Sequence, residues 1–276
     1  KMNGSGLYNT PSDLHVHTNL SFCAPRQTLA SSYLPHCGQE GVTTLGFSNH
    51  IYAPRYLKRA GIPEERGGDY ALRLRRELEE LQPSAPVRLL LGCEVETFCG
   101  EEPTLSPQEA KNFDYVLLAA SHIMNFPDEY RNYDLSTPAK LRALILERFL
   151  RACELEYPVP TGICHPLYPI CSPWEQEVVD GITDSQLADC FTLAAAKNKS
   201  IEIHACLYRR GTALDEEGLS PSYLRVLAAA KACGCRFHFG SDAHSPDAFQ
   251  GVHRLLLLAA QRLGITREDI WPIARG

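Results

Sequence analysis

The chain has 276 residues, of which 44% are hydrophobic and 22% are charged, and its formal net charge is −6. This size and composition suit one large α/β domain or two smaller ones. The negative charge disfavours nucleic acid as the main partner, because duplex binding depends on Lys and Arg side chains that neutralise phosphates. The longest apolar run, 255–260, is far shorter than the roughly 20 residues of a membrane span, and no secretory signal is visible at the start. We therefore expect no membrane partner.

Cysteine usage indicates the cellular compartment. The chain contains 11 cysteines and no CxxC pair. The spacing of Cys233 and Cys235 is not that of a zinc ribbon. A chain of this length does not need a disulfide framework, so most cysteines are predicted to be free thiols, many of them buried. Free thiols persist in reducing compartments, which favours a cytoplasmic protein.

Short apolar segments alternate with helical segments along the chain. Most of the apolar segments lack strict alternation, as expected for parallel strands that are covered on both faces. The seven predicted strands are 13–17, 43–50, 87–96, 115–122, 161–165, 200–205 and 236–242.

Helices are predicted between these strands. Asp69 is the candidate N-cap of a helix that runs to Leu81, and Thr137 followed by Pro138 opens another. The remaining predicted helices are 188–197, 221–232 and 246–263. Regular alternation of strands and helices predicts a parallel α/β fold, and no G-x-G-x-x-G motif supports its dinucleotide-binding version. Because no linker or low-complexity tract is visible, the simplest interpretation is a single barrel domain over residues 1–276.

Histidine or carboxylate side chains stand at the end of every predicted strand. His15 and His17 are two residues apart on a strand, so both can face one metal ion. The carboxyl ends of barrel strands surround one mouth, where the chemistry of such folds is located. The residues gathered there would be His15, His17, His50, Glu94, Glu96, His122, His165, Glu202, His204, Asp242 and His244. Although a single H-x-H motif is weak, the joint pattern predicts a metal site.

Some of these positions have a second interpretation. Glu96 can be a group that orients a metal ligand or merely a carboxylate at the barrel mouth, and Glu202 and His204 are equally open. Cys164 and His165 are neighbours along a predicted strand and would face opposite ways, which argues against a Cys/His dyad.

Three histidines are assigned no ligand role. His36 and His253 fall on predicted helices, and His238 falls in the middle of a strand.

Six motifs carry a resemblance to a known family. They are Asp-Leu-His-Val-His-Thr at 13–18, Phe47-Ser48-Asn49-His50, Gly92-Cys93-Glu94, Ala120-Ser121-His122, His165-Pro166 and Gly240-Ser241-Asp242-Ala243-His244. In order and spacing they resemble the motifs of the PHP (polymerase and histidinol phosphatase) family. The resemblance implies a distorted (β/α)7 TIM-like barrel that holds two or three divalent ions. Zn, Mn and Fe all suit ligands of this kind.

The resemblance also implies which residues bind each ion. The implied ligand sets are His15, His17, Glu94 and Asp242 for one ion, Glu94, His122 and His165 for a second, and Cys23, His50 and His244 for a third.

Three positions depart from the family pattern. Cys23 stands where many members have histidine, and it either completes the third site as a thiolate or leaves that site weakened. Asn49 stands where many members have aspartate. His204 replaces the asparagine that is usual in histidinol-phosphate phosphatases, so details of substrate contact are open.

Within the family, two features resemble the histidinol-phosphate phosphatase branch. One is the segment Tyr208-Arg209-Arg210, and the other is the pair of helical insertions, between the second and third strands and between His122 and His165. Arg209 and Arg210 would bind phosphate through their planar guanidinium groups, or they are simply solvated surface charges. The resemblance thus implies metal-dependent hydrolysis of a small phosphorylated metabolite, with L-histidinol phosphate as first candidate. A hydroxide held by two ions would attack phosphorus, and Asp242 or His244 would help to move the proton of the leaving group.

Other functions stay open. An amidohydrolase also opens with H-x-H, but it does not usually need ligands from the second and third strands, and no bridging lysine stands at a predicted strand end. A phosphodiesterase or exonuclease of the same family would use the same ions, although the chain lacks an aromatic–basic track for nucleic acid. A non-catalytic metal-binding module is a further alternative. The oligomeric state is not readable from the sequence.

Overall fold

The structure is a computed structural model that describes residues 6–52, 56–58, 61–62, 71–97, 104–126, 128–204 and 213–275. The strands are Ser12–Val16 (β1), Thr44–Phe47 (β2), His50–Ile51 (β3), Arg88–Glu96 (β4), Tyr115–Ala119 (β5), Thr161–Cys164 (β6), Ser200–His204 (β7) and Arg236–Gly240 (β8). The α-helices are Leu34–Glu40 (α1), Ala71–Leu81 (α2), Pro107–Ala110 (α3), Pro138–Glu154 (α4), Glu175–Asp180 (α5), Asp184–Ala196 (α6), Pro221–Ala232 (α7), Pro246–Phe249 (α8) and Val252–Arg262 (α9).

The strands form one parallel sheet that curls into a nearly closed barrel. Neighbours pair in the order β1-β2-β4-β5-β6-β7-β8, and β3 pairs with β4. Both β2 and β3 lie against β4, with β2 beside 88–91 and β3 beside Glu94 and Val95. They therefore share one of seven barrel positions, which confirms the predicted (β/α)7 TIM-like fold.

The seam between β8 and β1 closes at the carboxyl ends of these strands. Asp242 donates its backbone N–H to the carbonyl of His15 at 2.7 Å, and His17 donates to the carbonyl of Ala243 at 2.9 Å. These two bonds bring residues from opposite ends of the chain side by side. The segment beyond α9 also joins β8, because Trp271 donates its N–H to the carbonyl of Phe237 at 2.7 Å.

Tyr115 fills the barrel interior beside two glycines. A β-carbon on Gly46 would lie 2.2 Å from the Tyr115 hydroxyl, and one on Gly92 would lie 2.2 Å from its ring. The hydroxyl donates to the carbonyl of Leu14 at 2.6 Å, one residue before His15. The core is thereby connected directly to the strand that carries the H-x-H motif.

Several predicted strands end earlier than expected or are interrupted. The predicted strand 43–50 is broken at Ser48 and Asn49, because the Asn49 side chain turns back to accept the Thr18 N–H at 2.8 Å. The predicted strands 115–122 and 236–242 end at Ala119 and Gly240. Side chains beyond these ends are held by loops rather than by the regular pleat.

The predicted helix starts are partly right. Thr137 caps α4 by accepting the N–H of Lys140, and Ser220 caps α7 in the same way. Asp69, the other predicted cap, lies outside the described residues.

Two helix predictions were wrong in their bounds. The helix predicted at 188–197 begins earlier, because Thr183 and Gln186 form a capping box at the start of α6. The helix predicted at 246–263 is divided into α8 and α9, because Gly251 adopts a left-handed conformation with φ of 75°.

The described cysteines are reduced in the structure. Nine cysteines fall within the described residues, and all nine are free thiols, as predicted. Within the same part of the chain, no helix combines the length and the apolar character that a membrane crossing requires.

The contact between Gly92 and Tyr115 predicts a large effect of a small substitution. Gly92→Ala should lower the free energy of unfolding by about 1–3 kcal/mol or more, because the buried ring of Tyr115 cannot move away from the added methyl group. Urea denaturation followed by circular dichroism measures this change. The matched control is Gly38→Ala on α1, where nothing lies within 4 Å of the new β-carbon and a gain of up to about 1 kcal/mol is expected. Equal stability of both variants would contradict the packing described here.

Candidate metal centre

Four side-chain atoms from the ends of β1 and β4 and from the loop after β8 converge at the barrel mouth. His15 Nε2 lies 3.4 Å from Glu94 Oε2 and 3.5 Å from Asp242 Oδ1. His17 Nε2 lies 3.5 Å and 3.0 Å from the same two oxygens. A tetrahedral ion with ligands at about 2.1 Å places its ligand atoms about 3.4 Å apart. These four residues, which we call cluster A, therefore have the spacing of one metal site.

The unsatisfied hydrogen-bonding capacity of the cluster A atoms also fits a bound cation. His15 Nε2, His17 Nε2 and Glu94 Oε2 are buried, and in the described part of the chain none of them makes a hydrogen bond of good geometry, although Asp242 Oδ1 and His50 Nδ1 approach to 3.0 Å and 2.8 Å. An unsatisfied buried polar group costs about 1–3 kcal/mol, so three such atoms that point at one spot fit a shared cation. Because imidazole nitrogens and carboxylate oxygens bind divalent ions such as Zn²⁺, these residues fit a metal.

Glu94 connects cluster A to a second group. Its Oε1 lies 2.9 Å from His165 Nε2. The ligand-type atoms of Glu94, His122 and His165 lie within 4.8 Å of one another, and we call these residues cluster B. Since Oε2 of the same carboxylate faces cluster A, Glu94 can bridge two ions.

A third group shares His17 with cluster A. The ligand-type atoms of His17, Cys23, His50 and His244 lie within 4.8 Å of one another and form cluster C. Cys23 Sγ is 3.0 Å from His244 Nε2, and His50 Nδ1 is 2.8 Å from Glu94 Oε2. The structure thus brings Cys23 to the histidines that the sequence analysis assigned to the third ion.

Groups behind the ligands fix the histidine rings. A metal-binding histidine usually engages its second nitrogen with a carboxylate, a carbonyl or a hydroxyl, and this contact orients the ring. The contacts here are His15 Nδ1 with Glu202 Oε1 (2.8 Å), His122 Nδ1 with Glu96 Oε1 (2.7 Å), His17 Nδ1 with Ser21 Oγ (3.0 Å) and His165 Nδ1 with Ser121 Oγ (2.5 Å). Of the two interpretations of Glu96 and Glu202, the geometry favours orientation of ligands.

The charges of the site favour cation binding. Burial lowers the pKa of His15, but the carboxylates of Glu202, Glu94 and Asp242 outweigh it and raise that pKa well above its usual value. Burial raises the pKa of Glu94, whereas His50 and His15 hold it well below its usual value. The carboxylates are therefore ionised, and a divalent ion would replace the proton that His15 carries. Burial and the neighbouring His244 hold the pKa of His17 well below its usual value, so this imidazole is already neutral.

The Cys23 thiol lies at the exposed edge of cluster C. Partial loss of water raises its pKa, but the neighbouring His50 and His244 lower it more, to about 6. A thiol with this pKa is largely thiolate near neutral pH, and the thiolate is the form that binds metal.

Cys164 faces the site, contrary to the sequence prediction. Its Sγ lies 3.6 Å from Glu94 Oε1, and it groups with His15 and His165. The prediction assumed that strand alternation continues to His165, but β6 ends at Cys164 and His165 has a left-handed φ of 32°. Burial raises the pKa of Cys164 well above its usual value, so it is a neutral thiol and a poor ligand.

Two further histidines discussed in the sequence analysis, His204 and His253, have different surroundings. His204 Nε2 lies 3.6 Å from Asp242 Oδ2, at the edge of cluster A. His253 bridges Asp13 and Glu40, at 2.9 Å and 3.1 Å.

The other two histidines without a predicted ligand role also lie away from the clusters. His238 pairs with Ser200 at 2.8 Å, and His36 lies on α1. Arg209 and Arg210, the predicted phosphate ligands, lie outside the described residues.

Comparison with known proteins gives neighbours by structure alone. No family model matches the chain, and no curated protein matches its sequence. A proposed histidinol phosphatase, hisK, from Listeria monocytogenes superimposes with a TM-score of 0.68 and 11% identity, covering 88% of this chain and 99% of its own. Histidinol phosphate phosphatase from Lactococcus lactis, solved with zinc, L-histidinol and phosphate, superimposes with a TM-score of 0.62 and 16% identity, covering 94% and 95%. At these identities the likeness shows a shared fold.

The contact between Glu202 and His15 predicts how metal affinity is tuned. Glu202→Gln should weaken metal binding roughly 10- to 100-fold, because the neutral amide orients His15 less firmly and makes it less basic. Competition with a chromophoric chelator measures the affinity. Glu147→Gln, a substitution of a half-exposed carboxylate on α4, is the matched control. Unchanged affinity in Glu202→Gln would contradict the orienting role.

The geometry of cluster C predicts a spectroscopic signature. Protein loaded with Co²⁺ should show a thiolate-to-cobalt charge-transfer band in the near ultraviolet, because Cys23 supplies a sulfur ligand. Cys23→Ser should abolish this band, and Cys233→Ser should preserve it. A band that persists in Cys23→Ser and disappears in Cys164→Ser would instead assign the sulfur ligand to Cys164.

Proposed function

We propose that this protein is a metal-dependent hydrolase that acts on a small phosphate monoester. The observation that carries this proposal is the position of Glu94, whose two carboxylate oxygens face two clusters of histidines. Clusters A and B would each hold one divalent ion, and cluster C, which includes Cys23, would hold a third. Zn, Mn and Fe suit the ligand types present. The structural neighbour that was solved with zinc and phosphate supports the same chemistry.

The residues of the site would perform distinct tasks. Bound divalent ions supply Lewis acidity, which lowers the pKa of water and neutralises the oxygens of a phosphoryl group. Glu94 fixes the distance between clusters A and B, and Glu202 and Glu96 keep the imidazoles in position. Asp242 and His244 are the catalytic candidates, because their side chains are 22% and 31% exposed. From the open side they can reach the leaving oxygen and help to deliver a proton to it.

The same comparison supports a proposal for the substrate class. L-histidinol phosphate is our first candidate, and the Lactococcus lactis neighbour was solved with L-histidinol and phosphate. Arg209 and Arg210 would bind the phosphate as predicted from the sequence. We further propose a cytoplasmic enzyme whose partner is this small metabolite, with no nucleic-acid or membrane partner.

Activity measurements test the proposal. Protein loaded with Zn²⁺, Mn²⁺ or Fe²⁺ should release phosphate from p-nitrophenyl phosphate and L-histidinol phosphate, and a chelator should abolish the release. His17→Ala or Asp242→Ala should lower kcat/KM by at least about 100-fold, because each variant removes a ligand of cluster A. His36→Ala on α1 is the control and should keep full activity.

Two results would contradict this function. Two or three bound ions without turnover of any phosphoester would indicate a metal-binding module. Absence of bound metal even after reconstitution would contradict the metal centre itself.

A further inference from the structure

The candidate metal ligands differ sharply in their access to solvent. The side chains of His15, His17 and His165 are 0% exposed and that of Glu94 is 1% exposed. By contrast, Asp242 and His244 are partly exposed. Among the described residues, the side of the centre that is open to solvent is therefore the side of Asp242, His244 and the exposed Cys23.

An exposed aromatic side chain stands at this opening. Phe22 precedes Cys23 and is 36% exposed, one of only four exposed large apolar residues in the described part of the chain. Its ring centroid lies 6.2 Å from that of His50. An exposed apolar side chain beside a polar centre is a candidate contact for a ligand, because isolated apolar groups gain from being covered.

Phe22 is one of a row of neighbouring aromatic rings. Tyr52 stacks on His50 at 5.0 Å and lies 5.4 Å from Phe22. Tyr56 lies 5.1 Å from Tyr52, and Phe126 lies 4.9 Å from Tyr56. These four rings, which we call the aromatic wall, are at the centroid separations of favourable aromatic pairs. Tyr52 and Phe126 are buried, so Phe22 is the ring of the wall that meets solvent most fully.

We infer that Phe22 is a platform for a planar aromatic ring in the organic part of the substrate. This inference rests on the proposed hydrolysis of a phosphate monoester, which places the phosphoryl group at the ions. The organic group must then leave through the opening, where it passes the Phe22 ring. A planar ring there would extend the row of aromatic pairs, whereas a saturated ring of equal size would add apolar contact without aromatic pairing.

Binding of non-hydrolysable phosphonates tests this inference without relying on turnover. The metal-loaded full chain is titrated in a calorimeter with phenylalkyl phosphonates and their cyclohexylalkyl analogues, with one, two or three carbons before the ring. The analogues match in charge and carbon number. At the best spacing the planar compound should bind roughly twofold to tenfold more tightly than the saturated one.

Two variants separate the platform from general effects. Phe22→Leu keeps an apolar side chain but removes the ring, so the ratio of the two affinities should fall to about one. Tyr133→Leu removes an aromatic side chain that is 38% exposed and lies outside the wall, and it should leave the ratio unchanged.

The outcomes distinguish this inference from the proposed function. Equal affinities in the original protein, a preference that survives in Phe22→Leu, or absence of binding by every phosphonate would overturn the platform. Hydrolysis of an aliphatic ester such as glycerol phosphate would then still support a phosphatase. Conversely, a planar preference lost in Phe22→Leu, with no ester hydrolysed, would uphold the ring platform and reject the catalytic function.

Discussion

The candidate centre depends on closure of the barrel between β8 and β1. Two backbone hydrogen bonds, from Asp242 to His15 and from His17 to Ala243, hold this seam at the mouth. They place a carboxylate from near the end of the chain within 3.0 Å of a histidine from near its start. Without the seam, cluster A would lose one of its four members. Glu94 lies on β4, two strands from β1 in the sheet, and would then face His15 and His17 without the Asp242 carboxylate.

The convergence of so many titratable groups has an energetic cost that shapes the rest of the molecule. Buried imidazoles and carboxylates lose hydration, and this loss is offset only if each has a partner. The Nδ1 atoms of four of these histidines lie within hydrogen-bonding distance of Glu202, Glu96, Ser21 and Ser121. The atoms that face one another across cluster A, among them His15 Nε2, His17 Nε2 and Glu94 Oε2, would be satisfied by an ion. Metal binding at this site would therefore be coupled to stability, because an ion bound only by the folded chain would stabilise it.

Much of this arrangement could be predicted because parallel strands end at one edge of a barrel. The placing of His15, His17, Glu94 and Asp242 at strand ends was enough to indicate that they meet, although their roles as ligands stay predictions. Loop geometry was harder, since nothing in a single sequence shows that His165 leaves the extended conformation and turns Cys164 inward. Ser21 and Ser121 gave no signal, because an isolated serine has no pattern that distinguishes it from a surface residue.

The packing of Tyr115 has a consequence for how this sequence can change over time. Its ring occupies the space that side chains at Gly46 and Gly92 would need, and its hydroxyl holds the strand of the H-x-H motif. A larger residue at either glycine becomes tolerable only after the aromatic ring has become smaller. That first change would release the backbone beside His15. We therefore expect substitutions at Gly46, Gly92 and Tyr115 to occur together, because a change inside the barrel also alters the support of the strand that carries His15.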